Sequence, residues 1–147
     1  MAKVESFELD HDLVKAPYVR QAGYEVHQTG AIVTKFDLRF VQPNQDALPT
    51  GALHTLEHLL AINIRDYVDG VIDLSPMGCR TGFYMICWGE HTPEEIASAL
   101  EKVLQIVLET TAKAGGNYRD HSLFGAQEYA KQVLAAGISR DPFTRTV

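Results

Sequence analysis

The sequence is poor in cysteine, in long apolar runs and in positive charge. Its 2 cysteines, Cys79 and Cys87, are too few for a disulfide framework, so we interpret both as free thiols in a reducing cytoplasm. The longest uninterrupted apolar run, 83–88, is far shorter than a membrane-spanning helix. The 19 acidic and 13 basic residues give a formal net charge of -6, which argues against nonspecific nucleic-acid binding. The charged N-terminus lacks the apolar segment of a signal peptide.

The length and composition are typical of one globular domain spanning residues 1–147. Of the 147 residues, 46% are hydrophobic and 22% are charged, which is the balance of a folded protein rather than a disordered one. We find no internal repeat, low-complexity tract or linker that would divide the chain.

Alternation of apolar and polar residues predicts the first strand at 32–41, after a polar N-terminal arm. The apolar members are Phe36, Leu38 and Phe40, and the polar members are Lys35, Asp37 and Arg39. This pattern indicates a half-buried strand, on which a solvated charge is the default interpretation of Arg39.

Helical spacing and capping residues predict the helices. The first begins near Thr50 and ends before Gly70. The second opens with a capping box at 92–95, with its proline in the first helical position, and is broken by 114–117. The third runs from Ser122 to Gly137.

Two further strands, at 71–75 and 81–89, are predicted between the first two helices, with a turn between them. We expect residues 139–147 to be frayed or loosely packed. The order of strands and helices predicts an α+β domain with a largely antiparallel sheet packed against helices.

The strongest candidate for a metal site is the pair His54 and His58. Two histidines four residues apart lie on the same face of a helix, so both imidazoles can bind one ion. Glu57, between them in an otherwise apolar helix, is placed to act as a base beside the metal. The pair is half a site, because a catalytic metal usually has three protein ligands.

The second candidate is Cys79, which lies in a turn after Gly78 and before Arg80. Solvent, backbone N–H groups and a positive neighbour favour the reactive thiolate form of a cysteine. Cys87 differs, because it alternates with Phe83 and Met85 on one strand face and is interpreted as packing.

These residues leave three hypotheses open. The order H-x-x-E-H is that of inverzincin metallopeptidases, in which Glu57 would activate a zinc-bound water, but the chain is short for such an enzyme. A non-enzymatic metal-binding domain would explain the histidines only. An enzyme that transfers protons next to a carbonyl would use metal, Glu57 and Cys79 together. His121 lies just before a predicted helix start, where capping competes with metal ligation.

Several distinctive segments occur in order along most of the chain. Together they resemble the S-ribosylhomocysteine lyases, the LuxS family. The segments are VESFELDH at 4–11, APYVR at 16–20, KFDLRFVQPN at 35–44, HTLEHLLA at 54–61, DLSPMGCRTGFY at 73–84 and NYRDHSL at 117–123.

The resemblance implies a homodimer with an α+β fold and active sites at the subunit interface. It implies cleavage of S-ribosylhomocysteine to homocysteine and 4,5-dihydroxy-2,3-pentanedione, the precursor of the quorum-sensing signal autoinducer-2, whether for signalling or for recycling in the methyl cycle. Fe(II) would be the native metal, with Zn or Co as substitutes.

The resemblance also implies residue roles. His54 and His58 would bind the metal, and Cys79 and Glu57 would transfer protons. The remaining matched positions, Ser6, His11 and Arg39, would line the substrate pocket.

The sequence departs from the family pattern at Gly115, where the resemblance implies a cysteine as the third metal ligand. The stretch before it is also several residues shorter than expected. Three explanations stay open: a missing loop, an altered sequence, or a natural variant in which water or a side chain such as His121 completes the site. Without a thiolate ligand we expect weak metal binding and slow turnover.

Overall fold

A computed structural model describes residues 15–111 and 121–140, and these form an α+β fold. In chain order the elements are β1 (Tyr18–Val26), β2 (Ile32–Arg39), α1 (Thr50–Asn63), a 3₁₀ helix (Ile64–Asp66), β3 (Val71–Pro76), β4 (Gly82–Trp88), α2 (Pro93–Glu109), α3 (Leu123–Ala136) and β5 (Ser139–Arg140). Among these described elements, no helix has the length and apolar character needed to cross a membrane.

The strands form one sheet in the order β3-β4-β2-β1-β5. The pairs β3–β4, β4–β2 and β2–β1 are antiparallel, whereas β5 runs parallel to β1. The prediction of a largely antiparallel sheet packed against helices is therefore confirmed for the described residues.

The core lies between one face of this sheet and the helices. The predicted apolar positions are buried as expected. They are Phe36, Leu38 and Phe40 of the sheet, Leu53, Leu56, Leu60 and Ile64 of the first helical region, and Ile96, Leu100, Val103 and Val107 of α2. Each fully buried large apolar side chain stabilises the fold by about 1.5–3 kcal/mol relative to an exposed one.

The predicted helix starts agree closely with the structure. The Thr92 hydroxyl accepts a hydrogen bond from the Glu95 N–H and caps α2, and Ser122 caps α3 in the same way through Gly125. The ends of the first two helices differ from the prediction. A 3₁₀ turn follows α1 after Asn63, and α2 ends at Glu109, before the expected break at 114–117.

The prediction of a polar arm before Ile32 was wrong, because β1 lies there. Its sequence does not show simple alternation, since Arg20 is fully buried and Tyr24 is exposed. Arg20 is buried because it forms an ion pair with Asp37 of β2, at 3.0 Å. A charged residue that pairs with a buried partner need not lie at the surface, so the polar residues of this segment were misleading.

The start of the C-terminal segment is also more ordered than predicted. Ser139 and Arg140 pair with Tyr18 and Val19 of β1, and the Arg140 guanidinium forms ion pairs with Glu94 and Glu101 of α2. The expectation of a frayed end was therefore wrong for Ser139–Arg140, and residues 141–147 lie outside the described residues.

Gly82, at the start of β4, permits the close approach of β4 to β2. A Cβ atom at Gly82 would lie 2.2 Å from the Leu38 carbonyl oxygen and 2.8 Å from the Arg39 Cα. Both neighbours are backbone atoms of a central strand, so they cannot move without disturbing the sheet.

We therefore predict that Gly82→Ala lowers the free energy of unfolding by about 2–3 kcal/mol, the usual cost of overpacking. Gly78→Ala is the matched control, because a Cβ at Gly78 meets no atom within 4 Å, and it should stay within about 0.5 kcal/mol of the parent. Urea denaturation of both variants measures the difference, and equal midpoints would contradict the prediction.

Candidate metal centre and cysteine turn

His54 and His58 lie on the same face of α1, as their spacing predicts. Their ring centroids are 4.9 Å apart, and both side chains are half-buried. Glu57 is also half-buried and, together with His58, lines a shallow pocket of about 210 Å³ whose apolar wall includes Leu74 of β3. The carboxylate that was predicted to act as a base is thus adjacent to one of the two predicted metal ligands.

His121 joins this pair from the residue before the cap of α3. Its ring stacks on that of His54 with centroids 4.0 Å apart, and its centroid lies 5.2 Å from that of His58. One ligand nitrogen from each of the three histidines lies within 4.8 Å of the others. We refer to His54, His58 and His121 as the histidine cluster.

Small residues allow the first turns of α1 and α3 to approach each other and bring His121 into the cluster. A Cβ at Gly51 would lie 3.3 Å from the Ser122 Cβ, and a Cβ at Gly125 would lie 3.0 Å from the Ala52 Cβ. The backbone N–H of Ser122 also donates to the Gly51 carbonyl at 3.1 Å. Larger side chains at these positions would separate the two helices.

Thr55, which is buried beside the cluster, orients His121. Its Oγ1 accepts the Ser122 N–H at 2.8 Å and lies 3.2 Å from Nδ1 of His121. When Nδ1 of His121 carries the proton and donates a hydrogen bond to Thr55, Nε2 of His121 has a lone pair for a metal ion. The N-terminal cap of α3 is Ser122 rather than His121, so capping does not compete with ligation at His121.

The histidine cluster fits a divalent transition metal. Neutral imidazole is a good ligand for iron, cobalt and zinc, and three protein ligands leave an open position for water or substrate. Nitrogens around one tetrahedral ion lie about 3.4 Å apart, so small side-chain rotations suffice to bind an ion here.

Cys79 lies in a tight turn between β3 and β4. The Arg80 N–H donates to the Met77 carbonyl at 2.9 Å and closes the turn, and the Cys79 side chain is exposed as predicted. Its sulfur lies 3.0 Å from Oγ1 of Thr81, and the same oxygen accepts a hydrogen bond from Nη1 of Arg39 at 3.0 Å. The structure thus connects two predicted site residues, Cys79 and Arg39, through Thr81.

Arg39 is buried, so the default interpretation of a solvated charge was wrong. Its Nε and Nη2 donate to the two oxygens of the Asp37 carboxylate at 2.9 and 2.7 Å, and Arg20 donates to the same carboxylate. Burial alone would lower the pKa of Arg39, but the hydrogen bonds and charge of Asp37 raise it above its usual value. Burial and the charge of Asp37 also raise the pKa of Tyr18, which packs in this cluster.

Cys87 is a packing residue, as predicted. It is fully buried on the same strand face as Phe83 and Met85. Burial, with a smaller contribution from the charge of Glu95, raises the pKa of this thiol to about 11. The two cysteines are therefore distinct, because one is exposed beside polar groups and the other is buried in the core.

Two predicted substrate-pocket residues, Ser6 and His11, lie outside the described residues, and so does Gly115, which stands where a cysteine ligand was expected. Conversely, the sequence did not single out Thr55, Asp37 or Thr81 as site residues. Thr55 and Thr81 lie beside predicted site residues, but neither a threonine in a helix nor one after a turn has a distinctive pattern. Asp37 lay on the strand face that was predicted to be polar.

Comparison with known proteins gives consistent matches along the chain. Residues 4–143 match the family model described as S-Ribosylhomocysteinase (LuxS). A protein of Enterococcus faecalis named S-ribosylhomocysteine lyase is 66% identical over 152 residues, covering 99% of this chain and 99% of that protein. Its namesake in Ligilactobacillus salivarius is 57% identical over 155 residues, covering 100% of this chain and 99% of its own length. A third protein of that name, from Streptococcus gordonii, is 54% identical over 153 residues, covering 98% of this chain and 96% of its own length.

Proposed function

Because the chain belongs to the S-ribosylhomocysteinase (LuxS) family, we propose that it is a metal-dependent carbon–sulfur lyase that cleaves S-ribosylhomocysteine. The products would be homocysteine and 4,5-dihydroxy-2,3-pentanedione, the precursor of autoinducer-2. The observation that carries the proposal is the histidine cluster, because it offers three possible ligand nitrogens for one ion in a chain with glycine at position 115. Family membership favours this reaction over the peptidase chemistry that the H-x-x-E-H order alone would allow.

We propose that His54, His58 and His121 hold the metal, natively Fe(II), with Co or Zn as substitutes. Two of these ligands are those implied by the family resemblance, and His121 takes the place of the missing cysteine. When bound, the ion supplies a Lewis acid that makes the protons next to a substrate carbonyl more acidic. Imidazole is neutral whereas thiolate is negative, so a centre with three histidines carries one more positive charge than the family pattern.

The reaction needs groups that remove and return protons on carbon. Elimination of a thiol requires the sulfur to be attached to the second carbon from a carbonyl, so the carbonyl must first migrate along the ribose from C1 to C3. Each migration removes a proton from one carbon and returns a proton to the next through an enediolate. Removal of the C4 proton then expels the sulfur from C5.

We propose Glu57 and Cys79 for these proton transfers. Glu57 lines a pocket with an apolar wall and lies there beside His58, one of the proposed metal ligands, which is the position that a general base for this reaction needs. Cys79 is exposed and connected through Thr81 to the cation of Arg39. We propose Arg39, together with Ser6 and His11, for the substrate pocket.

We predict that anaerobically reconstituted protein, loaded with Fe(II) or Co(II), releases homocysteine from S-ribosylhomocysteine. Glu57→Gln and Cys79→Ala should each lower the rate at least about hundredfold, because a general acid or base contributes that much or more. A thiol reagent measures the release, and Cys87→Ala should keep most of it because Cys87 only packs in the core.

Two results would contradict this prediction. Full release by the Cys79→Ala and Glu57→Gln variants would remove these residues from the proposed mechanism. No release from folded, metal-loaded protein would instead identify the chain as an inactive metal-site variant of the lyase.

We predict that His121→Ala weakens Co(II) binding at least about tenfold, since loss of even an indirect metal contact costs 10–100-fold in affinity. Competition with a chromogenic chelator measures the affinity, and the visible absorption of Co(II) reports its coordination. His27→Ala is the matched control, because His27 lies near an exposed turn and hydrogen bonds to Thr29. Unchanged affinity in His121→Ala would assign the third ligand elsewhere.

We propose that the chain forms a homodimer with active sites at the subunit interface. The sheet face opposite the helices carries Ile86 and Trp88 of β4, and Trp88 is 56% exposed. We predict that Trp88→Glu shifts the chain to monomer in sedimentation equilibrium, because a charge at the centre of an apolar interface is costly. Tyr67→Glu, at an exposed tyrosine outside this face, is the control, and an unchanged mass of Trp88→Glu would exclude this surface.

A further inference from the structure

We propose that Thr81 is a positioning residue for Cys79. Held by Arg39, its hydroxyl would donate a hydrogen bond to the Cys79 thiolate and so connect the buried guanidinium to the exposed sulfur. The inference deepens the proposed function, because it concerns the thiol that we propose for proton transfer.

The direction of the hydrogen bond follows from the donors and acceptors present. A guanidinium has donors only, so the Thr81 oxygen must accept from Nη1 of Arg39, at 3.0 Å. The single hydroxyl proton of Thr81 therefore points elsewhere, and the Cys79 sulfur lies 3.0 Å from the oxygen. A deprotonated sulfur can only accept, so the pair is matched when Cys79 is a thiolate.

Backbone hydrogen bonds and burial fix the position of Thr81, which directly precedes β4. The carbonyl of Thr81 accepts the N–H groups of Phe40 and Val41 at 2.9 and 3.1 Å, which fixes its backbone against the chain after β2. The Thr81 side chain has little rotational freedom as well, because the residue is only 3% exposed. The hydrogen bond is therefore half-buried, with its Thr81 end held in the protein and its Cys79 end open to solvent.

The contacts of the two arginines near Cys79 agree with a connection from Arg39 through Thr81 to the sulfur. Arg39 reaches the sulfur through Thr81, while its other two donating nitrogens bind Asp37. Arg80, the neighbour of Cys79 in the turn, directs Nη1 at the Leu48 carbonyl, 3.3 Å away. Thr81 is therefore the hydrogen-bonded connection between Cys79 and a buried cation within the part of the chain that the structure describes.

The test is the pH dependence of alkylation of Cys79 by iodoacetamide, because only the thiolate reacts. Thr81→Val keeps the shape of the side chain and removes the hydroxyl. We expect the midpoint of the rate profile to rise by about one pH unit, which corresponds to the tenfold effect of losing one hydrogen bond to a charged group. Thr81→Ser restores a hydroxyl at the same position and should keep the parent profile.

Several controls keep the experiment decisive. Mass analysis of proteolytic peptides shows which cysteine reacts, and continued protection of buried Cys87 reports that the variant is folded. Thr81→Ala provides a second hydroxyl-free variant should Thr81→Val fail to fold. The proposal would be overturned if a folded variant without the hydroxyl kept the parent's pH profile of alkylation. It would also be overturned if the midpoint in Thr81→Ser rose as much as in Thr81→Val.

The readout is separate from lyase activity. Alkylation can be followed in the metal-loaded protein without substrate, so an absence of homocysteine release would not alter the result. Conversely, a parent-like profile in Thr81→Val would reject the role of Thr81 and leave the proposed reaction standing.

Discussion

The buried carboxylate of Asp37 determines the arrangement of the polar end of the sheet. It accepts hydrogen bonds from Arg20 of β1 and from Arg39 of its own strand, and all three side chains are buried. Loss of this carboxylate would leave two buried guanidinium groups without their shared anion, and breaking a buried ion pair in this way costs about 3–5 kcal/mol. Two nitrogens of Arg39 bind Asp37 and the third donates to Thr81, whose hydroxyl oxygen lies 3.0 Å from the Cys79 sulfur.

The fold was predictable where burial follows side-chain chemistry. The apolar stripes of α1 and α2 and the capping residues Thr92 and Ser122 mark helices whose structural cause is local or periodic. Strand β1 was not predictable in this way, because its burial depends on a charge paired across the sheet. Arg20 looks like a surface residue until Asp37 is placed beside it, and that pairing is not visible in either segment alone.

The same distinction applies to the candidate site. His54 and His58 could be identified from their helical spacing, and the exposure of Cys79 from its turn. His121 could be placed only as one option, because it reaches the other histidines through the approach of α1 and α3. That approach depends on the absence of side chains at Gly51 and Gly125, and glycine in a helix gives no indication of the helix that packs against it.

The histidine cluster joins two segments that are far apart along the chain, α1 and the start of α3, and this connects the fold to the supply of metal. An ion that binds only the native chain stabilises it by about 2.7 kcal/mol when its free concentration is a hundred times its dissociation constant. With His121 as a ligand, this energy would hold α3 against α1, since the ligands are far apart in the unfolded chain. Loss of a bound metal would then expose the protein to proteolysis as well as empty the site, so its abundance would follow metal availability.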